Sequence, residues 1–286
     1  MNRSLHPSVS SPNTEGLACE NKSGLLRMIA LDFDLTIYDH AKPKDTLGLQ
    51  KIMAQLAEHG IRIGLASGRG PMDLKKVLDE IGWKWAHPFP AFVVGHEGEI
   101  FQPCGEHWPG ARDYNINRRQ TVEQANQWLV PCFETLLIWA KAAGLELMHP
   151  ISTSAGGVHV VFQNPDMAEV ARRKLVQMLE DHSEISVLRN HHILLAIPRA
   201  ASKGAALQQL LALEGLARNQ LLCIGDNLND WSMLCEDRGF CIATVANADR
   251  QIRSRVAKQG GYISSERISH GVKDIFNHYL HPILQQ

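Results

Sequence analysis

Asp32 and Asp34 stand two residues apart in Asp32-Phe33-Asp34-Leu35-Thr36, at the end of an apolar run that begins at Leu25. Carboxylates at i and i+2 just past a strand end reach one crevice, where one can attack an electrophile while the other handles a proton. A solvated acidic turn has the same spacing, and the segment alone leaves both readings open. Ser67-Gly68-Arg69 supplies a hydroxyl and backbone amides ahead of a helix. That suits a phosphate oxygen, although Ser-Gly is also ordinary turn and capping chemistry. Lys203 opens a helix within Ala201-Ser202-Lys203-Gly204. Its charge there opposes the helix dipole, yet exposed lysines at such positions are common. Gly225-Asp226-Asn227-Leu228-Asn229-Asp230 clusters hard oxygen donors after another apolar run and suits a cation such as magnesium. Of the four segments it is the most specific.

These segments can meet only if strands and helices bring them to one edge. Residues 25–33 read as a buried strand, 46–59 as a helix stopped by Gly60, and 61–66 as a second buried strand. A further helix follows Pro71 through about Ile81, and residues 91–94 and 99–101 are strand-like around a turn at 95–98. This alternation predicts an α/β fold with a doubly wound parallel sheet, in which ligands bind outside the carboxyl ends of the strands. After Pro103 the pattern changes. Residues 103–117 read as irregular, 121–143 as a long helix kinked at Pro131, 157–163 as a strand, 166–181 as a helix, and 185–188 and 192–197 as strands. Alternation resumes with a helix at 202–213 and a strand at 221–224. The expected division is a core of residues 25–104 and 199–286, an inserted α+β cap domain at 105–198, and a disordered tail at 1–24 rich in Ser, Asn and Pro.

In this order the four segments resemble the haloacid dehalogenase superfamily of phosphohydrolases, whose motifs are Asp-x-Asp-x-Thr, a Ser or Thr, a Lys, and an acidic Gly-Asp segment. Ser67-Gly68-Arg69, Ser202-Lys203-Gly204 and the Gly-Asp-x-x-Asn-Asp pattern at 225–230 are similar to the Cof-like branch, which carries a large α+β cap between the second and third motifs. Val245-Ala246-Asn247-Ala248, Gly261-Tyr262-Ile263 and His270-Gly271-Val272 are similar to that branch's closing segments. The resemblance covers nearly everything from Leu25 onward. It implies a Rossmann-like core and a phosphomonoesterase that acts on a small phosphorylated metabolite, above all a sugar phosphate, with Mg2+ as cofactor. It further implies that Asp32 is the nucleophile and that Asp34 is acid and then base. Thr36, Ser67, Gly68 and Lys203 would contact phosphate. Asp32, the Asp34 carbonyl and Asp226 would hold the metal, with Asn229 and Asp230 binding or orienting its shell and Asp230 also holding Lys203. An anionic carboxylate attacking an anionic phosphate needs such positive charge to offset repulsion. A phosphomutase on the same scaffold is the alternative. A non-catalytic metabolite-binding protein is a third reading, disfavoured by the intact set at 32, 34, 67, 203, 226 and 230.

Two positions depart from the family pattern. Leu35 stands where Gly is usual, and Glu97, in Gly95-His96-Glu97-Gly98-Glu99-Ile100, stands where Asn is frequent in a turn that faces substrate in relatives. The pair Glu99-Ile100 resembles sucrose-phosphate and related disaccharide-phosphate phosphatases. In the cap, Arg112, Arg118 and Arg119 read as a solvated helix-entry face rather than as contacts to a second anion. Trp108 and Tyr114 read as packing residues rather than as stacking partners for a sugar.

Composition narrows the partners. Among 286 residues, 29 Lys and Arg balance 30 Asp and Glu, which leaves no general field for nucleic acid or an anionic membrane. No apolar run approaches the roughly 20 residues that cross a bilayer, and the first two dozen lack the apolar stretch of a secretory signal. The six cysteines include no Cys-x-x-Cys pair and read as free thiols in a reducing, cytoplasmic setting. The histidines show no zinc spacing, and the adjacent His191 and His192 read as structural residues on opposite sides of a strand. No feature fixes an oligomeric state.

Overall fold

The computed structural model describes residues 26–83, 85 and 89–284; the expected tail at 1–24 lies outside them. Strand β1 (Met28–Leu31) is buried at every residue, as its uninterrupted apolar sequence requires of a strand covered on both faces. A 3₁₀ turn at Pro43–Leu49 leads into α1 (Gln50–Glu58), followed by β2 (Arg62–Ala66), α2 (Pro71–Glu80), β3 (Val93–Gly95) and β4 (Glu99–Phe101). Next come α3 (Arg112–Ala142), β5 (Leu147–Ser154), β6 (Gly157–Phe162), α4 (Pro165–Met178), β7 (Ile185–Asn190) and β8 (Ile193–Pro198). The chain then forms α5 (Lys203–Leu213), β9 (Leu221–Gly225), α6 (Trp231–Leu234), β10 (Cys241–Thr244), α7 (Arg250–Lys258), β11 (Tyr262–Ile263) and α8 (Ile268–Leu284).

Seven of these strands form one sheet in the order β11-β10-β9-β1-β2-β3-β4, parallel throughout except for β3 with β4. The chain leaves β1 on one side through β2 and β3, and resumes on the other side at β9. The carboxyl ends of β1 and β9 therefore flank the point where strand order reverses, the usual place for a ligand crevice. The Asp32 amide continues the ladder by donating to the Ile224 carbonyl at 2.8 Å. This is the doubly wound α/β core that the alternation predicts.

The other four strands form an antiparallel sheet in the order β5-β6-β8-β7. Along β6 the side chains alternate: Val158, Val160 and Phe162 are fully buried in a cluster with α3 and α4, while His159 and Val161 take the other face. Helix α3 buries positions 115, 118, 122, 125, 129, 133, 136 and 140, the three-and-four spacing of one helix face, and continues through Pro131. A small cluster of Val122, Leu188, Leu195, Ile197 and Ala201, with Trp231 packed against it, joins this unit to the larger one.

Three details differ from the pattern-based expectations. Helix α3 begins at Arg112 rather than near 121, because the first two members of its buried stripe, Asn115 and Arg118, are polar and escape an apolar count. Asn115 substitutes for a strand partner, accepting from the Ile100 amide at 2.9 Å and donating to the Ile100 carbonyl at 2.8 Å. Strand β5 was not expected at all; it is an edge strand, almost wholly exposed and interrupted by Pro150, so it carries no apolar alternation. His191 and His192 form the turn between β7 and β8, with His191 at a left-handed φ of 51°, and do not lie in a strand. Trp108 and Tyr114 pack against the larger core cluster. Cys223, Cys235 and Cys241 are buried, and among the described residues no helix is long and apolar enough to cross a membrane.

Candidate active site

Each of the four segments emerges at the same edge of the larger sheet. The loop after β1 carries Asp32, Asp34 and Thr36; the loop after β2 carries Ser67 and Gly68; the loop after β9 carries Asp226, Asn229 and Asp230. Lys203 is the first residue of α5. Its helix can start there because Gly204 packs against the Ser232 carbonyl, which would lie 2.1 Å from any Cβ at that position. Ser202 caps the same helix by accepting from the Ala205 amide.

The Lys203 ammonium lies 2.7 Å from Asp32 Oδ1 and 2.7 Å from Asp230 Oδ1, with Glu97 Oε2 at 4.0 Å. All of these groups are buried. Burial alone would lower the lysine's pKa, but Asp230 and Asp32 hold it well above its ordinary value, so the ammonium stays charged. Asp230 Oδ2 accepts from the amides of Asp226 and Asn227 at 3.0 and 3.2 Å. With one oxygen on Lys203 and the other on its own loop, Asp230 is positioned as the residue that holds both. Thr36 Oγ1 donates to Asp226 Oδ1 at 3.1 Å.

Asp32, Asp226 and Asp230 each place an oxygen within 4.8 Å of the others, and one lysine bonds two of them, Asp32 and Asp230. Burial, followed by Asp230, pushes the Asp32 carboxyl up to about 8 against the pull of Lys203. Burial, Asp32 and Asp230 push Asp226 upward too. A divalent cation reverses that balance by supplying the charge that one lysine does not, and the donors are the hard oxygens such a cation takes. Asn229 Oδ1 beside them is buried with no hydrogen-bond partner. The residues present therefore fit a metal.

Asp34 faces the cleft differently. Arg69 clasps it with two hydrogen bonds, at 2.8 and 2.9 Å, and His40 adds a third contact at 3.0 Å. Burial would raise this carboxyl, but Arg69 and then His40 outweigh it and leave it below the usual carboxylate range.

A cleft of about 240 Å³ opens above these groups. Its floor includes Asp32, Asp34, Ser67, Gly68 and Asn229; its roof is Ser154 and Gly156 beside the β5–β6 turn, with His159, Asn190, Ile193 and Leu195 from the smaller sheet. A wider groove of about 400 Å³ runs between α4, β7 and the start of α6, away from the carboxylates. Its Arg172 and Arg199 are paired with Glu169 and Glu236, which leaves it a poor site for an anionic substrate.

Every predicted site residue thus lies at one edge. Arg69 was legible as part of Ser-Gly-Arg, but its clasp on Asp34 was not. The roof residues carried no signal beyond strand alternation. Arg118, read as solvated, is buried: it donates to the carbonyls of Ala201, Ala155 and His96 at 3.0, 2.7 and 2.7 Å, tying the β3–β4 turn and the return crossing at Ala201 to the β5–β6 turn. Glu99 beside it is wholly buried and paired with Arg119 and Arg118.

A parallel α/β core, an inserted sheet as roof, and a lysine-bridged carboxylate cluster at the switch point together form the candidate site. A family model described as haloacid dehalogenase-like hydrolase matches residues 158–273. "Putative phosphatase YkrA" of Bacillus subtilis (strain 168) is 24% identical over 269 residues, covering 87% of this chain and 97% of that protein. Among solved structures, the sucrose-phosphatase from Synechocystis sp. PCC6803, in complex with sucrose and phosphate, superposes with a TM-score of 0.64 at 17% identity, over 89% of this chain and 97% of its own. A haloacid dehalogenase-like hydrolase from B. subtilis does so with a TM-score of 0.59 at 17% identity, over 88% and 99%. The chain is thus similar, over part of its length, to the haloacid dehalogenase-like hydrolases and, over most of it, to a protein described as a putative phosphatase.

Proposed function

We propose that this protein is a magnesium-dependent phosphatase that hydrolyses a small sugar phosphate through an aspartyl-phosphate on Asp32. The observation that supports it most is the Lys203 ammonium, held 2.7 Å from both Asp32 and Asp230 beneath the floor of the cleft. In this reading Asp32 attacks phosphorus in line as the ester P–O bond breaks, and its electron pair leaves on the alcohol oxygen. Asp34 gives that oxygen a proton, then takes one from the water that opens the aspartyl-phosphate. Its pairing with Arg69 favours the second of these roles. Ser67, the Gly68 amide and Thr36 cradle the phosphate oxygens while Lys203 balances charge on Asp32. Magnesium, when bound by Asp32, Asp226 and the Asp34 carbonyl with Asn229 and Asp230 behind them, offsets the repulsion between carboxylate and phosphate.

A sugar suits the roof, where Ser154, His159 and Asn190 offer hydrogen bonds beside the apolar Ile193 and Leu195. Glu99 gives no support to a disaccharide in particular, because its carboxylate is occupied by Arg119 and Arg118 outside the cleft. Phosphate release from a panel of phosphorylated metabolites tests the reading. Asp32→Asn is expected to lower turnover by about 10³-fold or more with the fold intact, and chelation should silence the enzyme until magnesium is restored. Retained turnover in Asp32→Asn, or metal-independent turnover, would overturn it. Interconversion of sugar phosphate isomers without net release would show a phosphomutase instead.

A further inference from the structure

Glu97 is the acidic residue of the cleft that the proposed chemistry leaves without a role. It sits in the β3–β4 turn with a left-handed φ of 64°, and its side chain is buried. From there it touches nearly every part of the site. Its Oε1 would lie 2.6 Å from a Cβ at position 68, so Gly68 is the residue that admits it. The same oxygen accepts from Asn229 Nδ2 at 3.4 Å, and Oε2 is 4.0 Å from Lys203 Nζ. Its Cγ would lie 3.5 Å from a Cβ at Gly156 in the roof. One carboxylate is thus wedged between three of the four catalytic loops and the turn that covers them, and it lines the cleft.

The charge around it is one-sided. Asp32, Asp34 and Glu97 line the cleft, and Arg69, which also lines it, has its charge balanced by the two-bonded pair with Asp34. The roof contributes Ser154, Gly156, His159, Asn190, Ile193 and Leu195, with neither lysine nor arginine among them. A second anionic group on the substrate would meet acceptors and a carboxylate, with no cation left to receive it. A group that donates hydrogen bonds would meet Glu97.

Resting on the phosphatase reading, we propose that Glu97 is a specificity-determining residue. It selects phosphate monoesters whose alcohol part carries hydrogen-bond donors near the ester and rejects those with a second anion. The donors can be hydroxyls or an ammonium; both satisfy the same acceptors.

The test compares wild type with Glu97→Gln, which keeps the shape and removes the charge. The probes are glucose 6-phosphate, glucosamine 6-phosphate, fructose 1,6-bisphosphate and p-nitrophenyl phosphate, each with magnesium. Ratios of kcat/KM between probes are the readout, so a general loss of activity cancels. Wild type is expected to favour the two monophosphate sugars over the bisphosphate by about tenfold or more, and Glu97→Gln to shrink that ratio by about tenfold. A larger drop for the glucosamine ester than for the glucose ester marks an ammonium as the donor; equal drops mark hydroxyls. Ratios unchanged by the substitution would overturn the proposal, as would a wild-type preference for the bisphosphate. Calorimetric binding of the same three sugar esters to Asp32→Asn, with and without Glu97→Gln, reads the selectivity without turnover. Failure of the phosphatase reading, seen as no phosphate release from any probe, is thereby distinguished from failure of the role given to Glu97.

Discussion

Arg189 of β7 forms an ion pair with Asp249, and the Asp249 amide in turn donates to the Asp226 carbonyl at 2.8 Å. A residue of the roof is therefore linked through one side chain to the loop that carries Asp226 and Asp230. The guanidinium also donates to Glu169 at 3.2 Å and to the His191 carbonyl at 3.1 Å, so it is held from its own side as well. The side chains of Arg189 and Asp249 are only 10% and 16% exposed, which makes the pair stronger than one in open solvent.

Asp249→Asn should loosen the roof without touching the cleft. A sugar phosphate that uses roof contacts is expected to show a KM raised by about tenfold, while a small aryl phosphate shows less. Steady-state kinetics on both substrates checks this. Equal losses on the two would mean that Asp249 acts only by capping α7, whose Gln251 amide it also receives.

Arg118 makes a different demand. Three carbonyl groups, from residues 96, 155 and 201, take hydrogen bonds from its buried guanidinium, and Glu99 lies behind it. Arg118→Ala leaves those acceptors and part of the Glu99 charge unsatisfied, with an expected loss of about 3–5 kcal/mol. Arg118→Lys restores charge but not the three-way fork, and should recover only part of it. Urea unfolding of both variants measures the effect; a loss below about 1 kcal/mol in Arg118→Ala would show that the pin is not structural.

Much of the core was legible because buried parallel strands are continuous apolar runs and the site segments follow them directly. Asp32, Ser67 and Asp226 could be placed on one edge from that alone. The roof was less legible for the opposite reason. Strand β5 faces solvent, so burial leaves no periodic mark on it. The start of α3 is buried through Asn115 and Arg118, whose hydrogen bonds do the work that apolar contacts do elsewhere. Arg118 also shows why residue type misleads: a surface arginine and a buried one look alike until three carbonyls converge on it. The clasp of Arg69 on Asp34 joins residues 35 positions apart, and no local spacing encodes it.

Glu169 ties acid stability to the smaller unit. Burial would raise its carboxyl, but Arg172, then Arg173 and Arg189, outweigh this and hold it at about 2, below the ordinary 4.5. A depressed pKa means that its stabilisation is complete above the unfolded value near 4.5 and fades as pH falls toward 2. Glu169→Gln should cost about 1–2 kcal/mol at neutral pH, after allowance for partial exposure, and flatten the acid limb of the stability curve. Unfolding midpoints between pH 7 and 2.5 test this; a difference between wild type and variant that does not shrink on acidification would contradict it.

Leu35 holds a left-handed conformation, φ 58°, a region that favours glycine. Its amide donates to the Tyr38 carbonyl at 2.8 Å, and its own carbonyl accepts from Asn247 at 2.9 Å, so the turn that aims Asp34 and Thr36 is fixed from two sides. A Cβ in that region costs about 1–2 kcal/mol, while glycine gives back roughly 0.5–1 through the freedom of the unfolded chain. Leu35→Ala removes the half-buried side chain and keeps the Cβ; Leu35→Gly removes both. The glycine variant is therefore expected to be more stable than the alanine variant by up to about 1 kcal/mol, even though glycine is usually the more destabilising of the two. Chemical unfolding of the pair decides it: an alanine variant as stable as the glycine variant, or more so, would show that Leu35 is held there without strain.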